Sequence, residues 1–126
     1  MMSENEISAV IVRACFNIHQ NLGPGLLESV YEEILACELA EEGIQFKRQI
    51  GLPVKYKDRR LEIGFRADLI VEEKVIIEIK SVESIAAVHQ KQLLTYLKVS
   101  GLKLGLLVNF NEALIKNGIQ RIVNKL

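Results

Sequence analysis

The run Val75-Ile76-Ile77-Glu78-Ile79-Lys80 constrains this chain more than any other stretch. Its β-branched residues suit a pleated strand and are stiff in a helix. Apolar side chains at both odd and even positions need cover on both faces, which marks a central strand. The sequence supplies neighbours for it. Ile50, Leu52, Val54 and Tyr56 alternate with other residues, as a half-buried strand does. Lys57-Asp58-Arg59-Arg60 has the makings of a polar turn, and Leu61 to Val71 of a second strand, bent near Gly64. Glu72-Glu73-Lys74 is a tight polar turn into the central run, and Leu102 to Phe110 is a further apolar strand.

Both flanks of this region change period. Ile7, Val10, Ile11, Ala14 and Ile18 recur at helical spacing from about Glu4 to Asn21, before Gly23-Pro24-Gly25 breaks the chain. A second helix is expected from about Leu26 to Glu42, with Gly43 as its C-terminal stop. Ala86 to Val99 reads as a third helix, and Ile119 to Val123 as either an edge strand or a short helix. The order predicts an α/β domain in which helices flank a mixed central sheet containing an antiparallel three-strand meander. At 126 residues the chain fits a single domain spanning 1–126. Cys15 and Cys37 fall in the helical patterns and are expected to be small buried hydrophobes in a reducing compartment. The polar, acidic start has no signal-peptide character, and no apolar run approaches the roughly 18 residues of a membrane span. The expectation is a soluble cytoplasmic protein.

The chain carries 16 Lys+Arg and 16 Asp+Glu, so it is not held on nucleic acid by bulk charge. Neutrality hides segregation. Residues 14–46 hold six glutamates and no Lys or Arg, whereas residues 47–60 hold six basic residues against Asp58 alone. Lys55, Lys57, Arg59 and Arg60 could hold nucleic-acid phosphates, or simply solvate an exposed hairpin. His19 and His89 without paired cysteines make a poor zinc set. No phosphate-binding glycine loop and no nucleophile elbow occurs.

Three charges are expected to converge in the hairpin: Asp68 late in one strand, then Glu78 and Lys80 two apart on one face of the next. Burying charge is expensive unless it is paired or binds metal. Two nearby carboxylates repel, and a hard cation such as Mg²⁺ removes the repulsion while keeping sites for water and phosphate oxygens. A structural salt-bridge cluster is the other reading of the same three residues. Gln92 and Tyr96, four apart, share a helix face. Glu28 sits in the first turn of the second helix, where the macrodipole favours a carboxylate. Tyr31, three residues on, is expected mainly to pack.

Asp68 followed by Glu78-Ile79-Lys80 resembles the signature of the PD-(D/E)XK nuclease superfamily, with Ala67 where its name-giving proline would stand. Gln92-Leu93-Leu94-Thr95-Tyr96 is similar to the Gln-x-x-x-Tyr motif of its helicase-linked branch. Gly25-Leu26-Leu27-Glu28-Ser29-Val30-Tyr31 resembles the signature of the GxxExxY family within that superfamily. The resemblance implies a restriction-endonuclease-like core and a metal-dependent nuclease acting on nucleic acid, with DNA the expected substrate. It implies Mg²⁺ or Mn²⁺ bound by Asp68, Glu78 and the Ile79 carbonyl, with Glu28 completing the acidic set. Lys80 would position or activate water, Gln92 would support Lys80 or the phosphate, and Tyr96 would brace the helix face. The alternative is a catalytically inactive nuclease-fold module acting through a protein partner or a homodimer.

Overall fold

The structure, a computed structural model, describes the backbone of residues 1–126 and every side chain except that of Ile63. Two helices come first, α1 (Glu4–Leu22) and α2 (Glu28–Glu41). Three strands follow, β1 (Phe46–Tyr56), β2 (Arg59–Val71) and β3 (Val75–Lys80). Helix α3 (Ala87–Ser100) then leads to β4 (Leu104–Asn109), a 3-10 turn at Ile115–Asn117 and β5 (Ile119–Val123). The strands form one five-stranded sheet in sequence order. β3 and β4 are parallel, joined through α3, and the other neighbours are antiparallel. The segment after the 3-10 turn is thus the edge strand, not the helix. No helix among the described residues is long and apolar enough to cross a membrane.

The central run behaves as its composition demands. Val75, Ile77 and Ile79 pack with Ile7, Ile11, Ile18, Leu35 and Leu39 of α1 and α2. Ile76 packs on the opposite face with Leu93 and Leu97 of α3. Local chemistry sets the ends of the helices. Ser3 and Glu6 close a capping box, the Glu6 amide donating to Ser3 Oγ at 3.2 Å and the Ser3 amide to Glu6 Oε1 at 2.9 Å. α2 stops at Gly43, whose φ of +72° suits the left-handed position that follows a helix. The bend expected near Gly64 is a register shift between Leu52 and Val54 on the partner strand. A Cβ at Gly64 would lie 1.7 Å from the Leu52 carbonyl oxygen, so only glycine permits that approach.

The cysteine expectation holds for one residue only. Cys15 is buried in the core, and burial pushes its thiol up to about 12. Cys37 is exposed, because it lies off the Tyr31–Leu35–Leu39 stripe by which α2 packs. Both thiols are free.

Candidate active site

The site lies where β2 leaves β3. The two strands pair only at Leu69–Ile77, Ile70–Ile76 and Val71–Val75. Ala67 and Ile70 both join the cluster beneath α3, although residues three apart in a regular strand face opposite ways. The alternation therefore breaks at Asp68. Its side chain takes over the ladder, Oδ2 accepting the Ile79 N–H at 2.8 Å. The other oxygen, Oδ1, accepts from Gln49 Nε2 at 3.2 Å.

Glu78 follows on β3, half-buried and next to Asp68. Its Oε1 is buried with no hydrogen-bond partner. Burial foremost, and then the Asp68 charge, push its carboxyl up to about 8, against the opposing pull of Lys80. Glu78 and Lys80 line one cavity with Arg66, His89, Gln92 and Tyr96. Gln92 Nε2 donates to Tyr96 Oη at 2.6 Å. The Tyr96 ring stacks on Phe65 with centroids 3.8 Å apart, which joins α3 to β2 over the site. Desolvation, followed by Glu78, raises the Tyr96 hydroxyl above its ordinary value. His89 Nδ1 accepts the Ala86 N–H at 3.2 Å, which caps α3 and leaves Nε2 to carry the proton in the neutral ring.

Asp68 also opens on a cleft of about 640 Å³, lined by Leu26, Leu27, Glu28, Glu32, Gln49 and Ser81. Glu28 reaches this cleft because the loop before α2 is pinned. The buried Tyr31 donates from Oη to the Gly23 carbonyl at 2.6 Å and accepts the Leu26 N–H at 3.2 Å. Its ring stacks on Phe110. Tyr31 is thus a packing and anchoring residue, as expected. Glu28 Oε2 in turn accepts the Ser81 N–H at 3.0 Å, tying the start of α2 to the end of β3.

Asp68, Glu78, Lys80, Gln92 and Tyr96 therefore share one region, and Glu28 borders it from the α2 side. Among the described residues no three His, Cys, Asp or Glu side chains gather closely enough to hold a metal ion by themselves. That donor set still fits a hard cation of the Mg²⁺ kind, which takes one or two carboxylates and fills its remaining positions with water and phosphate oxygens. The orphaned Glu78 oxygen is the acceptor such a cation would satisfy.

Lys55, Lys57, Arg59 and Arg60 are exposed at the far tip of the β1–β2 hairpin. Arg60 precedes Asp68 by eight residues, so at about 3.3 Å per residue the tip stands up to ~26 Å from the carboxylates. The rest of the basic stretch is used internally. Arg48 pairs with Glu33 at 2.7 Å and with Glu32 at 3.0 Å, and Lys47 pairs with Glu73 at 3.3 Å. Arg66, Gln49 and Glu32 escaped the sequence reading. Arg66 carried a visible signal, a cation two residues before Asp68 in the half of the strand that is otherwise apolar. Gln49 and Glu32 carried none.

The sequence matches the PD-(D/E)XK nuclease superfamily over residues 5–122, and the chain belongs to that superfamily. Nucleases of this group generally use divalent metals, and membership supports hydrolysis of nucleic acid as the activity. In fold the chain is similar to an alkaline exonuclease, LHK-Exo from Laribacter hongkongensis, with a TM-score of 0.53 and 13% sequence identity. That match covers 99% of this chain and 73% of the exonuclease. No curated protein sequence matches the chain.

Proposed function

We propose that this chain is a cytoplasmic, metal-dependent nuclease of the GxxExxY type, hydrolysing phosphodiester bonds in DNA as one domain over 1–126. The observation that carries the reading is the half-buried Glu78, with one oxygen unpartnered, beside Asp68 and two residues before Lys80 in the otherwise apolar strand β3. Among the described residues Lys80 makes no ion pair with either carboxylate, as a structural salt-bridge cluster would require.

Asp68, Glu78 and the Ile79 carbonyl would hold Mg²⁺ or Mn²⁺, with Glu28 acting through water from the α2 side. When bound, the cation supplies Lewis-acid polarisation of the phosphate and lowers the pKa of water. Lys80 orients the attacking water from the same strand face as Glu78. Gln92 holds Lys80 or the scissile phosphate on the α3 side, and Tyr96 keeps Gln92 and the helix face in place. Arg66 and His89, in the same cavity, are donors suited to phosphate oxygens. Lys55, Lys57, Arg59 and Arg60 contact the backbone farther along the substrate, fixing its path without reading sequence.

Calorimetric titration with Mn²⁺ tests the site directly. Wild type is expected to bind, and Asp68→Ala and Glu78→Ala to lose binding. Wild-type protein that takes up no divalent ion would refute this reading and favour the nuclease-fold binding module. Cleavage of DNA against RNA of the same sequence decides the substrate.

A further inference from the structure

Gln49 occupies a conformation its residue type does not explain. It lies in β1 between Arg48, which pairs with Leu69, and Ile50, which pairs with Ala67. That places it opposite Asp68, but with φ at +47°, in the left-handed region that a non-glycine residue adopts at a cost. No turn requires it there. What the conformation achieves is a placement of both ends of the residue. The carbonyl oxygen accepts from Arg66 Nη1 at 2.9 Å. The side-chain amide is aimed between two carboxylates, donating to Glu32 Oε1 at 2.6 Å and to Asp68 Oδ1 at 3.2 Å.

The acceptors on either side set which way the amide faces. Ionised carboxylates only accept, so the NH₂ must point at both, and its two hydrogens match the two acceptors. Glu32 is a rigid support for this bridge. It is buried, and its other oxygen is occupied by Arg48, whose Nε and Nη2 both lie 3.0 Å from Oε2. Oε1 is thereby left for Gln49. Asp68 is held from two directions in consequence: by the Ile79 N–H on Oδ2 and by Gln49 on Oδ1. The carboxylate plane is set by these donors, and the chain Arg48–Glu32–Gln49–Asp68 runs from β1 through Glu32 of α2 and back through β1 to Asp68 on β2.

We infer that Gln49 is a positioning residue for Asp68, braced by the buried Glu32 and its partner Arg48. The inference rests on Asp68 being a metal ligand, as proposed above. Outer partners that orient a ligand typically account for about 10–100-fold in metal affinity or activity when removed.

The test compares wild type with Gln49→Met, which keeps the length of the side chain and removes both donors, and with Asp68→Ala. Three quantities are read: Mn²⁺ affinity by calorimetry, kcat and KM on DNA, and thermal stability in chelator. For Gln49→Met the expectation is a ~10–100-fold loss in Mn²⁺ affinity, a comparable loss in kcat at subsaturating metal, and KM for DNA within about twofold. Gln49→Asn, which keeps the donors on a shorter stem, should recover part of the affinity. If Gln49→Met melts earlier yet keeps wild-type Mn²⁺ affinity and kcat, Gln49 is only a packing residue and the inference is wrong. If wild type itself binds no Mn²⁺ and Asp68→Ala changes nothing, the reading of the site falls and the inference falls with it.

Discussion

Two effects disfavour the charged form of Glu78, burial foremost and then the neighbouring Asp68 carboxylate. Its folded-state pKa of about 8 lies above the ordinary carboxylate value of 4.5, so between those values the folded chain binds more protons than the unfolded one. Stability must then fall as pH rises through that window. In chelator, wild type should melt at lower temperature at pH 8 than at pH 6 by more than Glu78→Gln does. Equal slopes for the two proteins would show that Glu78 is not strained. Metal uptake near neutral pH should also release up to about one proton, seen as a buffer-dependent calorimetric heat. Tyr31 offers a separate check. Tyr31→Phe keeps the stack on Phe110 but loses the bonds to Gly23 and Leu26. It should cost about 1–2 kcal/mol in denaturant unfolding. At this scale the sequence was informative where a residue broke its local pattern. Asp68, Glu78 and Lys80 stand out as charges in an apolar strand. Gln49 does not, since a polar residue in an alternating strand looks solvated and nothing in its neighbours encodes a positive φ. Cys37 misled because a helical pattern says which stripe is buried only after the packing partner is known.

The elements were legible wherever apolar period and punctuation agreed, as in α1, the meander and α3. They were least legible where polar residues extend a strand. β1 begins at Phe46, before the alternation at Ile50: Phe46, Lys47 and Arg48 pair with Val71, Ile70 and Leu69 of β2, and Arg48 finds side-chain partners in Glu32 and Glu33. Hydrophobic periodicity cannot see such pairing. β5 is only five residues long, and its type is decided by pairing along β4 from Leu104 to Val108. Two substitutions probe the hairpin that carries the site. Gly64→Ala forces a Cβ against the Leu52 backbone, so the bulge must open. A loss of about 1–3 kcal/mol is expected by equilibrium unfolding. Arg48→Ala leaves the Glu32 carboxylate buried without its cation. About 1.5–3 kcal/mol should be lost, reflecting hydrogen bonds to a charged group that Arg48 makes while partly exposed. A neutral effect of Arg48→Ala would mean that Glu32 is not held as described.

Across the whole molecule, zero net charge resolves into an acidic α2 side, a cationic cavity under α3 and an exposed basic tip on the β1–β2 hairpin. Part of the segregation seen in sequence cancels internally through Arg48 and Lys47. Lys55, Lys57, Arg59 and Arg60 stay at the surface. If they meet phosphates, replacing all four with Ser should flatten the dependence of DNA binding on salt by roughly 0.9 per lost contact. KM should rise while kcat holds, because the tip is remote from the carboxylates. As a nuclease, the chain would use Asp68, Glu78 and Lys80 as its hydrolytic site. The most direct measurement is the rate at which wild type and Lys80→Ala cut plasmid and single-stranded DNA in Mg²⁺ and in Mn²⁺, with a chelator control. Metal-dependent cutting by wild type that drops by at least about 100-fold in Lys80→Ala is the predicted result. Identical behaviour of the two proteins would contradict it.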